Sequence, residues 1–168
     1  WRSATIARIG EPAWKGLYTL VAIVGLVVLV YGYGAARADP TVLWTPPAWG
    51  RHATALLSLV AFILVAATYI PGTHIRERIG HPMLAGVKAW ALGHLLSNGT
   101  LADLLLFGVF LVWAIVQFAV SRRRDRAEGR TRPAEGWGRD IAAVVVGIVA
   151  TGVFALWLHV PLIGVRPF

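Results

Sequence analysis

The chain has 168 residues, 57% of them hydrophobic and 14% charged, with a mean hydropathy of +0.66. Water-soluble domains carry about 25% charged and about 45–50% apolar residues, so this composition, with its apolar residues gathered in long runs, argues against a soluble enzyme and for a membrane chain. The lack of cysteine excludes a disulfide framework, an iron–sulfur cluster, a thiolate nucleophile and a Cys-based zinc site, while 16 Lys and Arg against 8 Asp and Glu leave a formal +8 to be explained.

The chain opens at Trp1 on a stretch that is neither a signal peptide nor a transit peptide. Residues 14–34 form the first long apolar run, with Lys15 at one end and Tyr31 and Tyr33 at the other, the interfacial pattern of a spanning helix. A loop follows, marked by Asp39-Pro40 and Thr45-Pro46-Pro47, with Trp44 and Trp49 as interface anchors. Residues 53–70 give a second span that ends at Pro71-Gly72. The third, 82–98, begins at Pro82, which suits the first helical turn; at roughly 25 Å of helix it is short for a span. Ser97-Asn98-Gly99-Thr100 reads as a tight turn, with Gly99 closing one helix and Thr100 capping the next. The fourth span, 101–120, returns antiparallel to the third. An Arg-rich linker over 121–140 leads to a fifth span at 141–163. The expected fold is an all-α polytopic transmembrane helical bundle forming one domain over 1–168, with five spans.

Charge distribution supports this count. With residue 1 in the cytoplasm, the inner segments hold twelve positive residues: Arg2, Arg8, Lys15, Arg76, Arg78 and the seven arginines of the linker. The outer segments hold three, Arg37, Arg51 and Arg166, so the positive-inside rule places the C-terminus outside. Arg122, Arg123, Arg124 and Arg126 lie directly against a span, interspersed with acids and short of aromatics. The linker therefore reads as a solvated, orientation-setting segment rather than a nucleic-acid site.

Ionisable groups inside a membrane are costly, and they mark function by default. Among the five histidines, only His94 lies well within a span. On a helical projection it shares a face with Val87, Trp90, Ala91, Ser97 and Asn98, opposite Leu84, Leu92, Leu95 and Leu96; small and polar residues mark helix contacts, so His94 points into the bundle. There it can ligate haem iron, shuttle a proton or bond a neighbouring backbone. Asp103 falls at similar depth across the turn and can accept a ring N–H of His94, or, as the last residue of Thr100-x-x-Asp103, close a capping box. His159, near the outer end of the fifth span, is a candidate second ligand. His52 reads as interfacial, and Lys88 as snorkelling toward the cytoplasmic side. No phosphate loop, Gly-x-Ser-x-Gly or His-Glu-x-x-His is present, and no soluble substrate is evident, so chemistry by this chain calls for a cofactor.

The string from His81-Pro82 through Trp90-x-x-x-His94 to Asn98-Gly99 resembles the signature of the NnrU family, and the likeness continues through Leu101 to Leu111 and back through Arg8-Ile9-Gly10-Glu11 and Tyr31-Gly32-Tyr33-Gly34. The resemblance implies a multi-pass protein of the bacterial inner membrane linked to denitrification through nitrite and nitric oxide metabolism, with the lipid bilayer and a nitrite or nitric oxide reductase system as partners. The family is related to the plant and cyanobacterial zeta-carotene isomerase, which uses haem b to isomerise a cis double bond. That relation implies haem b here, with His94 in the Trp90 to His94 motif as its axial ligand and metal-binding residue. The isomerase's cysteine falls on Ala91, which cannot coordinate. Its second ligand lies before the Gly-Glu segment, so a sixth, N-terminal helix is expected to precede Trp1; within these 168 residues a second ligand is to be sought at His159 or His52. Three functions follow: haem-associated support of denitrification, haem-dependent polyene isomerisation in a long apolar groove beside His94, and a cofactor-free scaffold.

Overall fold

The computed structural model describes residues 2–167, all of whose regular elements are helical. Trp1, whose side of the membrane the charge count predicts, lies outside the described residues. The chain divides into two compact units, Trp1–Thr41 and Val42–Phe168.

In the first unit, α1 (Arg2–Ile9) and α2 (Glu11–Ala38) are separated by Gly10, whose φ of 81° is one that residues with a side chain rarely adopt. Pro12 then fits the first turn of α2, and Glu11 pairs with Lys15 at 2.9 Å. The 28 residues of α2 extend the expected 14–34 at both ends and give about 42 Å of helix, ample for a hydrocarbon layer of about 30 Å.

The second unit contains α3 (Gly50–Tyr69), α4 (His74–Ile79), α5 (Pro82–Ser97), α6 (Leu101–Ala127), α7 (Trp137–Val153), a π-helical turn (Phe154–Leu158) and α8 (His159–Ile163). Its long helices pack in the order α7, α3, α5, α6. Lipid tails are as apolar as leucine, so close backbone approach and interhelical hydrogen bonds must hold such helices together. The residues at the contacts fit that demand. A Cβ on Gly86 would come within 3.0 Å of the Ala61 carbonyl oxygen, one on Gly93 within 3.2 Å of Thr54 Cα, and one on Gly147 within 2.6 Å of Ile63 Cα. Ala67, Ala91 and Ala143 are wholly buried. Thr54 Oγ1 reaches the carbonyl of Gly93 across the α3–α5 contact at 2.6 Å, as well as that of Gly50 at 2.9 Å.

Among the described residues, four helical stretches are long and apolar enough to cross a membrane: Glu11–Ala38, Gly50–Tyr69, Leu101–Ala127 and Trp137–Ile163. The expected third span is not among them, because α5 has only 16 residues; it lies between α3 and α6. The turn after it also differs from expectation. Gly99 does not take a left-handed φ; the backbone of Trp44 passes so close to it that a Cβ would collide with the Trp44 carbonyl. Gly99 O accepts from the N–H groups of Leu43 and Trp44 at 2.8 and 3.2 Å, and Val42 bridges to Thr100.

The Arg-rich segment requires a larger correction. Only residues 128–136 lie outside helices: α6 continues past Val120, where the apolar run ends, and α7 begins at Trp137. Arg123, Arg124 and Arg126 are exposed as expected, but Ser121, Asp125 and Asp140 are buried. Asp140 accepts from the backbone N–H of His74 and Ile75 at 3.1 and 3.0 Å and from His74 Nδ1 at 2.7 Å, while the His74 ring stacks on Trp137 with centroids 4.1 Å apart. Asp125 Oδ2 meets His81 Nε2 at 2.8 Å and an Arg132 guanidinium N–H at 2.6 Å. These contacts tie α4 to α7 and the start of α5 to the end of α6. A buried carboxylate is tolerated where charge and hydrogen bonds replace water in this way.

Candidate functional site

His94 sits on the last turn of α5, on the face turned toward the bundle, as the helical phase predicts. Its ring packs 4.6 Å from Phe107 and 5.1 Å from Trp90, which in turn meets Phe107 and Phe110 at 5.2 and 5.7 Å, so α5 and α6 enclose the imidazole in aromatic rings. His94 Nδ1 lies 2.9 Å from the carbonyl oxygen of Trp90. A carbonyl only accepts, so Nδ1 carries the proton and the lone pair is left on Nε2. This is the tautomer in which histidine most often binds metals, with the second nitrogen held by a backbone carbonyl. Asp103 takes the capping role. Its Oδ2 accepts from Thr100 N and Thr100 Oγ1 at 3.1 and 2.6 Å, and its own N–H donates to Thr100 Oγ1, completing the capping box of α6. The orienting group is the main chain of Trp90.

His159 shows the same arrangement. Its Nδ1 lies 2.7 Å from the carbonyl oxygen of Val165, again leaving Nε2 with the lone pair. The ring is positioned by the π turn immediately before it, in which the His159 N–H bonds back five residues to Phe154 O. Pro161 accounts for that turn: it offers no N–H to the carbonyl of Trp157 and its ring crowds that oxygen, so the helix widens. The sequence carried this signal as a proline inside an apolar run.

His94 and His159 line one cavity of about 80 Å³. Trp90 and Phe154 form part of its wall, and Arg51, Thr54, Ser58 and Thr151 contribute polar groups. Arg51 and Thr54 were not distinguished by sequence reasoning, since neither belongs to a motif. Thr54 is fixed by its bond to Gly93, next to His94, and this sets the first turn of α3 against the last turn of α5. His52 is exposed and does not line the cavity. Lys88 is remote from it as expected, its Nζ lying 3.7 Å from the centre of the Phe118 ring. A second, open groove, lined by Leu104, Gly108, Val112 and Trp113, lies along α6.

The donor set discriminates between kinds of metal. No group of three or more His, Cys, Asp or Glu that could hold a bare ion occurs among the described residues. An iron tetrapyrrole brings four nitrogens of its own, so two imidazoles with free Nε2 atoms suffice as axial ligands, and the pair present fits that need. The ring needs more than 80 Å³, since pockets for ligands of such size run to about 300–1,000 Å³. Its entry would therefore require the wall of this cavity to open.

Helices of spanning length, held by small residues and enclosing two outward-tautomer histidines in one cavity, define a multi-pass helical membrane protein with a candidate cofactor site. The NnrU family model, described as NnrU protein, matches residues 1–167, and the chain belongs to the NnrU family. No curated protein and no solved structure matches it.

Proposed function

We propose that the chain binds haem b in the bacterial inner membrane, with His94 and His159 as the residues that would hold it, and that it serves nitrite and nitric oxide metabolism alongside the reductases of that pathway. The observation that carries this reading is the pair of histidines lining one cavity, each with its Nδ1–H given to a backbone carbonyl. Family membership supports the metabolic assignment. In this reading α5 crosses the membrane as the third of five spans, and the Arg-rich segment faces the cytoplasm.

Bound haem would supply a redox-active iron whose potential is set by its ligands and its burial. The protein's own contribution is positional. Trp90 O fixes the His94 tautomer, Phe107 and Trp90 hold its plane, the π turn presents His159, and the surrounding apolar side chains limit water. Purified full-length protein from haem-replete cells is expected to show a Soret band. His94→Ala should lower haem occupancy by more than about tenfold, the scale already reached on losing only a partner of a metal ligand. Wild-type protein purified without any haem would overturn the reading.

A further inference from the structure

Among the described residues, the ionisable groups lining the cavity are His94, His159 and Arg51, with no carboxylate. Arg51 forms no ion pair with any described residue, whereas Arg130, Arg132 and Arg139 each pair with an acid. Its position is fixed by the same packing that fixes His94. Gly50 abuts the Leu96 carbonyl, and Thr54, one turn along α3, bonds the carbonyl of Gly93. Arg51 therefore stands roughly 4.5 Å further toward the Gly99 end than Thr54, at the rise of a helix, with His94 beside Thr54's partner. Arginine also sits where the apolar wall gives way to solvent, for the residue is exposed. A cavity that has a guanidinium at its mouth, imidazoles within and no acid favours a ligand carrying negative charge at one end.

We propose that Arg51 anchors a carboxylate of the ligand, which for an iron tetrapyrrole is a propionate side chain. This rests on the reading of His94 as iron ligand, and it assigns the orientation of the ring: carboxylate edge toward the Gly99 end, apolar edge toward the interior. Guanidinium and carboxylate suit each other because two parallel N–H donors meet two oxygens.

The test titrates full-length apoprotein in detergent with iron protoporphyrin IX and, separately, with its dimethyl ester, which keeps the iron and the ring but has no carboxylate. Binding is followed by the visible absorption shift. Wild type is expected to bind the diacid about tenfold more tightly than the diester, the scale of one charge-assisted hydrogen bond. Arg51→Gln should lose that preference while binding the diester as wild type does, and Arg51→Lys should keep part of it. Circular dichroism of each variant checks that it has folded; should Arg51→Gln not fold, Arg51→Lys carries the comparison. An unchanged diacid preference in the folded variant overturns the role of Arg51 and leaves the haem reading standing. Absence of any absorption shift in wild type overturns both.

Discussion

Asp125 stands among four arginines in sequence, yet takes its side-chain partners from elsewhere, His81 being 44 residues away and Arg132 on the returning segment. Arg132, hydrogen-bonded to it, does most to hold its carboxyl well below the usual range, at about 2, with His81 adding to the effect against burial. A carboxylate whose pKa is lowered on folding contributes stability that is fully present above its unfolded value of about 3.9 and is lost as pH falls toward the folded value. The thermal midpoint of the protein in detergent should therefore hold steady down to about pH 4 and drop between there and about pH 2. Arg132→Gln should raise the Asp125 titration toward about 3.9, read directly from its carboxyl carbon resonance. A resonance that titrates at the same pH in the variant would show that Arg132 is not the cause. None of this was legible from the residues alone. The pattern SRRRDR reads as a solvated run because nothing local shows which acid will meet a histidine from another helix. Thr100-x-x-Asp103 was legible, because a capping box closes within four residues and needs no tertiary information.

At the scale of elements, the apolar runs located the long helices to within a few residues, apart from α6, which runs seven residues past the expected end, and the phase of α5 turned His94 toward the bundle. Both follow from helix geometry alone. The bend in the last helix did not: Pro161 marks a disruption without saying whether the chain will kink, stop or widen. It widens, and the π turn alters the angular position of everything after it. Removing one residue from such a turn rotates the remainder by about 100°. Pro161→Ala restores an N–H for the Trp157 carbonyl and lets the α-helical pattern run on, which should swing His159 away from the cavity while leaving His94 in place. In the haem reading, the variant keeps bound haem but changes from a six-coordinate low-spin spectrum to a five-coordinate high-spin one. A low-spin spectrum retained in Pro161→Ala would mean that the turn does not position the second ligand.

For the whole molecule, the question is whether α5, too short by the usual measure, crosses the membrane. Its ends answer through their contacts. At one, His81 meets Asp125, beyond the apolar run of α6, and Lys88 lies over Phe118, near the end of that run. At the other, Leu96 abuts Gly50 at the start of α3, and Gly99 bonds the segment before it. Within the second unit α5 therefore runs from the end where α3 finishes to the end where α3 starts, and the extended Asn98 adds to its length. The charges follow the same division. Nine arginines, Arg76 and Arg78 with the seven between Arg122 and Arg139, gather at the His81 end of this unit, against Arg51 and Arg166 at the other. A crossing α5, as proposed, puts the loop before it and the Arg-rich segment on the same side, in keeping with the His81–Asp125 contact. In that reading the positive-inside rule puts the His81 end in the cytoplasm. Because the chain has no cysteine, single replacements report without background. In right-side-out membrane vesicles a membrane-impermeant maleimide should label Ala48→Cys and leave Glu128→Cys unlabelled until detergent is added. Labelling of both before detergent would refute the α5 crossing, and the reverse pattern would refute the orientation while keeping the crossing.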